Sequence, residues 1–155
     1  MTSQVSEKLL HNGTKYRLCT EPLESYLKQH RPDIKFVSIK TSCWRGYEGA
    51  WQIRNGKLYL TGLAGNLRQG NEPYPKHDPD ALNKVFPDAG GEGLFADWFT
   101  GELCCPYGDL LHSVPAGYAS VYRHELIVQI KNGLVVSEEV KENLVPPGGF
   151  RRQVD

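Results

Sequence analysis

The densest polar and aromatic cluster in the chain is Trp44-Arg45-Gly46-Tyr47-Glu48. An arginine flanked by aromatic rings can stack on a planar anion and fork to its carboxylate, and Gly46 and Gly49 let the backbone bend tightly enough to present it. The competing reading, a turn into a strand with Arg45 covering a tryptophan face, is favoured. In a strand, Tyr122-Arg123-His124-Glu125 puts Tyr122 and His124 on one face and Arg123 and Glu125 on the other. Histidine titrates near neutrality, so His124 beside Tyr122 has the chemistry of a general acid or base. No Ser or Cys nucleophile is identifiably partnered with it, although Cys104, Cys105 and Ser120 are candidates for spatial proximity. An ordinary half-buried histidine is therefore favoured.

Asp97 and Glu102 bracket Trp98 at a separation of five residues. An extended strand sends them to opposite faces, whereas paired acid and base work needs both carboxylates aimed into one cavity. Solvated or capping carboxylates are the better reading. His77, Asp78 and His112 show no metal-ligand spacing, and Cys19, Cys43, Cys104 and Cys105 lack the paired Cys-x₂₋₄-Cys spacing of a zinc site. No metal and no other cofactor is expected, and the cysteines are expected to be reduced buried thiols. The candidates for binding a ligand or a partner are thus Arg45, Tyr47, Trp98, Glu102, Tyr122 and His124, and no catalytic residue is assigned.

These residues must be positioned by a scaffold whose clearest signal is Asn-Gly, at Asn12-Gly13, Asn55-Gly56 and Asn132-Gly133. Between alternating apolar residues the pair supplies the two positive-φ positions of a tight hairpin turn. If Asn55 and Gly56 form the turn, Arg54 faces Lys57, Ile53 faces Leu58, Gln52 faces Tyr59 and Trp51 faces Leu60. Trp51, Ile53, Leu58 and Leu60 then share the core face, and a slip of one residue would expose all four. The hairpin at Asn132-Gly133, from residues 118–130 to 134–140, has apolar residues on both faces and reads as a central, two-sided part of the sheet. A shorter hairpin is expected over 9–20, and a strand over 34–42.

Thr20, Pro22 and Glu24 predict a helix start, with the helix running to about His30 and burying Leu23, Tyr26 and Leu27. Residues 62–93 are rich in Gly and Pro and read as a long excursion carrying one short helix near 79–86, capped at Asp78 and stopped by Pro87. Gly-Gly-Glu-Gly at 90–93 lacks the spacing of a phosphate-binding loop. Pro106-Tyr107-Gly108 suits a turn joining 94–105 to 109–114. The fold class is mainly β (α+β), an antiparallel meander or partly closed barrel of about seven to nine strands with one or two short helices. Residues 1–144 form a single domain, and 145–155 a mobile tail.

The chain has 155 residues, and its 18 basic and 18 acidic side chains cancel. Neither sign is gathered into a block, which argues against nucleic acid and anionic membrane as partners. No N-terminal signal pattern and no run near ~18 apolar residues is present, so a cytoplasmic protein is expected.

The ordered motifs Thr41-x-Cys43-Trp44-Arg45-Gly46-Tyr47, Trp51-x-Ile53, Lys57-Leu58-Tyr59-Leu60, Ala96-Asp97-Trp98-Phe99-Thr100-Gly101-Glu102-Leu103 and Gly117-Tyr118-x-Ser120-Val121-Tyr122 resemble a group of small uncharacterised bacterial proteins. The resemblance covers most of residues 10–136. It implies a bacterial, single-domain, β-rich protein and carries no activity. Two functional classes stay open. The first is a non-catalytic binding or accessory protein, of the immunity-like kind, that recognises another protein through its aromatics and the 62–93 loop. The second is a small-ligand or catalytic β-fold with a polar cavity under that loop. A homo-oligomer formed through an edge strand is a third arrangement the sequence allows.

Overall fold

The computed structural model describes residues 4–31, 34–38, 42–43, 45–68, 76–87, 93–114, 118 and 120–143. The fold is mainly β, as expected, with two short helices and a ten-stranded mixed sheet that does not close into a barrel. The strands are β1 (Glu7–His11), β2 (Thr14–Leu18), β3 (Lys35–Phe36), β4 (Tyr47–Arg54), β5 (Lys57–Arg68), β6 (Lys76–Asp78), β7 (Leu94–Phe95), β8 (Gly101–His112), β9 (Val121–Lys131) and β10 (Leu134–Glu142). The helices are α1 (Glu24–His30) and α2 (Leu82–Val85). Seven strands run in the order β2-β1-β4-β5-β10-β9-β8, while the short β3, β6 and β7 attach to β5. β1 and β4 are parallel, so the sheet is not the purely antiparallel meander that the hairpins suggest.

The alternation of β4 fixes its pairing. Arg54, Ile53, Gln52 and Trp51 oppose Lys57, Leu58, Tyr59 and Leu60 in the expected register, and Trp51, Ile53, Leu58 and Leu60 are buried together. All three Asn-Gly pairs adopt positive φ at both residues. The tips of the β4–β5 and β9–β10 hairpins also bind each other: Leu58 N–H donates to Gly133 O at 2.9 Å, and Val135 N–H donates to Gly56 O at 2.8 Å. Gly133 N–H in turn donates to Phe99 O at 2.9 Å. Gly133 is therefore pressed into the fold, whereas Gly13 and Gly56 have open space beside them.

Several sequence expectations are corrected by physical context. β5 continues to Arg68, seven residues into the supposed excursion, because β4, β6 and β3 pair with that stretch and supply its backbone partners. Pro106-Tyr107-Gly108 makes no hairpin turn. β8 runs straight through it, with a shift in register after Tyr107 and φ of +82° at Gly108. A proline and a bulge are tolerated because β8 lies at the end of the strand order, where one row of its amides needs no ladder partner. The strand expected over 34–42 is only Lys35–Phe36, with 39–41 outside the described residues.

Thr20 does not cap α1. Its Oγ1 donates to Glu102 O and accepts from Cys104 N–H, tying the end of β2 to β8. Asp78 belongs to β6, where it accepts from Asp80 N–H and pairs with Lys84 of α2 at 2.6 Å. β10 is not central and two-sided: it pairs β9 along its length but β5 only at Leu134, and all but one of its residues are exposed.

Replacing Gly13 or Gly56 by alanine is expected to cost about 1–2 kcal/mol, the penalty for an L-residue in the left-handed region. Gly133→Ala adds a Cβ 2.7 Å from Ala96 O, and is expected to cost roughly 2–5 kcal/mol once overpacking is included. Urea unfolding of the three variants checks this, and equal costs would contradict the interlocked tips.

Candidate functional site

The candidates are positioned around an acid that the sequence reading did not single out. Glu7, in β1, is completely buried. Its carboxylate accepts from Arg45 Nη2 at 2.8 Å, from Gly49 N–H at 2.5 Å and from Trp51 Nε1 at 3.3 Å. Gly49 is required there, since a Cβ would stand 2.6 Å from Glu7 Oε1. Arg45 is equally enclosed, with 4% of its side chain exposed. Besides Glu7 it donates through Nη1 to Val5 O at 2.8 Å and to the Tyr118 hydroxyl at 3.3 Å, and its Nε faces Glu21 Oε1 at 3.6 Å. Burial pushes the Glu7 carboxyl up, against the guanidinium and the Gly49 amide, which hold it down. Burial alone would lower Arg45, but the charge and hydrogen bond of Glu7, together with Tyr118 and Cys43, more than offset it and hold the guanidinium above its ordinary range.

Tyr47 lies beside this pair, its ring 5.5 Å from the Arg45 guanidinium carbon and its hydroxyl donating to Glu24 Oε1 at 2.7 Å. Burial first, then the Glu24 charge, drives the phenol far above its ordinary range. Tyr47 and Arg45 line an open cavity of about 480 Å³, together with Phe36, Ile34, Lys28 and Lys35. Arg45 does not line the second cavity, of about 420 Å³, but it holds two residues that do, Val5 and Tyr118, through its hydrogen bonds to them. The arginine is thus an internal strut, and Trp44, the aromatic it was expected to cover, lies outside the described residues.

The other candidates are spread over the sheet. Trp98 donates from Nε1 to Pro22 O at 2.8 Å, stacks on Phe86 and meets Trp51 and Tyr26, joining α1, α2 and β4. Glu102 is exposed and accepts from Gln129 Nε2 at 2.9 Å, while Asp97 sits in the turn before β8. His124 stacks on Tyr107 at 5.0 Å between centroids. Tyr122 lies under the Arg17 guanidinium, 4.7 Å from carbon to ring centroid, and lines the second cavity. No described cavity is lined by all six candidates. Residues 69–75 and 88–92 of the excursion lie outside the described residues.

Sequence reasoning missed Glu7, Arg17 and Tyr118. A signal for the first was present: Val5, Glu7 and Leu9 alternate, which puts the acid on the apolar face of its strand. The four cysteines are free thiols. Burial raises Cys19 and Cys105 to about 12, with Cys104 adding to both. Among the described residues no group of three His, Cys, Asp or Glu is placed to hold a metal ion, and no helix is long and apolar enough to cross a membrane. Compared with known proteins, the chain matches no family model, no curated protein and no solved structure.

Glu7→Gln and Arg45→Met are each expected to cost ~3–5 kcal/mol, since each strands a buried partner, and the double variant is expected to cost less than the two added together. Denaturant melts of the four proteins check the coupling. The raised thiols give a pH dependence whose sign is fixed. Between about pH 9, where an unfolded thiol ionises, and about 12, folded Cys19 and Cys105 hold protons that the unfolded chain has lost. Stability should fall as pH rises through that interval, and Cys19→Ala with Cys105→Ala should flatten the fall.

Proposed function

We propose that the protein is a non-catalytic binding protein that captures an extended, basic segment of another protein on the free edge of β10. The observation that carries this reading is the pairing of that strand. β10 is bonded to β9 from Leu134 to Glu142, yet its other edge meets β5 only at Leu134, opposite Lys57. Past that residue no described strand pairs with it. A row of free N–H and C=O groups is a template for an added strand, which supplies affinity through the main chain and specificity through alternate side chains.

The side chains along the edge support a partner over solvent. Val136 and Val140 are 65% and 57% exposed, and Leu134 is 46% exposed. Charges and a bulge blunt unpaired edges, and β10 has both, yet these three exposed apolar side chains stand among them. The charge that β10 does carry is acidic, with Glu138, Glu139 and Glu142 against Lys141. A second copy would bring the same acids opposite one another, so the preferred occupant is a different chain with Lys or Arg between apolar residues. His11 of β1 pairs with Glu138, which anchors one position of the strand to the body of the fold. The polar groups nominated from the sequence support a binding role more than a catalytic one, because Arg45, Tyr47, Trp98 and Glu102 are each engaged in holding elements together.

Selection of random dodecapeptides on phage tests the reading. The intact protein should enrich peptides that alternate basic and apolar residues, and Val136→Lys with Val140→Lys should abolish the enrichment without lowering the melting temperature. Enrichment that survives both substitutions, acidic consensus peptides or no enrichment at all would each refute it.

A further inference from the structure

We infer that the cavity between β2 and the second half of β8 is a binding site for a small monocarboxylate with an apolar body. β2 and β8 lie at opposite ends of the strand order, and no ladder joins them. Three hydrogen bonds do so at one level: Cys19 N–H to Cys104 O, Thr20 Oγ1 to Glu102 O, and Cys104 N–H to Thr20 Oγ1. Beside this seam the strands leave a space of about 420 Å³, within the range of small-molecule pockets.

Among the described residues Arg17 is the sole charged side chain lining that space. It forms no ion pair and no hydrogen bond with any described residue. The residue is exposed, and its guanidinium lies over the Tyr122 ring at 4.7 Å, which orients it along the cavity wall. A planar, stacked guanidinium with uncommitted N–H groups matches the fork of a carboxylate, whereas a phosphate dianion calls for a second positive charge, which the lining lacks. One fixed charge selects a monoanion. The remaining walls are mixed: Leu110, Pro106 and Tyr122 give an apolar and aromatic side, and Gln4 with the Ser6 and Ser113 hydroxyls a polar one. Leu110 is 52% exposed at this surface, an apolar side chain that a ligand body would cover.

The walls are set before any ligand arrives. The Tyr118 hydroxyl accepts from buried Arg45 and donates to Val5 O at 3.4 Å, while Ser120 Oγ accepts from Val114 N–H and donates to Val114 O. Binding then costs little ordering of the protein, and the affinity rests on the carboxylate and on apolar burial. The site is independent of the β10 edge.

A fragment library in which every carboxylic acid is paired with its own primary amide provides the test, read by saturation-transfer NMR on the full chain, with inorganic phosphate as a third arm. Acids should bind at least tenfold more tightly than their amides. Arg17→Met, which keeps the length of the stem, should remove that preference at an unchanged melting temperature, and Arg17→Lys should keep part of it. Hits divided evenly between acids and amides, an acid preference that persists in Arg17→Met, displacement of the acids by phosphate at equal concentration, or no hits at millimolar fragment would each overturn the inference.

Discussion

The buried pair of Glu7 and Arg45 is the constraint from which the rest of the arrangement follows. A carboxylate wholly removed from water is costly unless its lone pairs are filled, and three donors from three places in the sequence fill them. Arg45 brings the turn before β4, Gly49 the backbone of β4, and Trp51 the core face of the same strand. Because Glu7 sits on β1, meeting these donors fixes β1 alongside β4 in parallel, a pairing that no hairpin could impose. The guanidinium then uses its remaining N–H groups to position the N-terminal segment at Val5 and the chain at Tyr118. One ion pair thus sets the register of two strands and shapes the walls of two cavities.

Around this pair the sheet is organised by β5 as a hub. Its length lets β4, β10, β3, β6 and β7 attach at different levels, and its apolar face with Trp51 and Ile53 makes the core against which α1, α2 and Trp98 pack. The exposed features fall where that hub ends. β10 runs past the β4–β5 tip and loses its neighbour there, and β2 and β8 meet at a seam that hydrogen bonds close at one level and a cavity opens at another.

What could be read from the sequence was local. Asn55-Gly56 between alternating apolar residues determines a register by itself, since the turn allows one pairing and the pattern one face, and Trp51 opposite Leu60 follows. Pro106-Tyr107-Gly108 misled because the same residues suit a turn and an edge bulge, and only the place of β8 in the sheet decides between them. Helix capping at Thr20 failed for a similar reason: its hydroxyl had a better use across the seam. The site was harder still. Arg45 and Tyr47 were legible as an unusual cluster, but the partner that explains them lies 38 residues earlier, and Arg17 gains its interest from Tyr122, far along the chain. Side chains brought together by tertiary contact leave no mark in local spacing.

The seam between β2 and β8 also bears on the order in which the molecule comes together. Its hydrogen bonds join residues separated by more than eighty positions, for instance Thr20 and Glu102, while the two hairpins at Asn55 and Asn132 close over two residues each. Loop-closure entropy makes the first kind of contact slow and the second fast, because a long span must be ordered before its contacts repay the cost. The hairpins are therefore expected to form before the seam. The cavity beside Arg17 depends on that junction, so a ligand that fills it is expected to select the fully assembled sheet over any partly folded form.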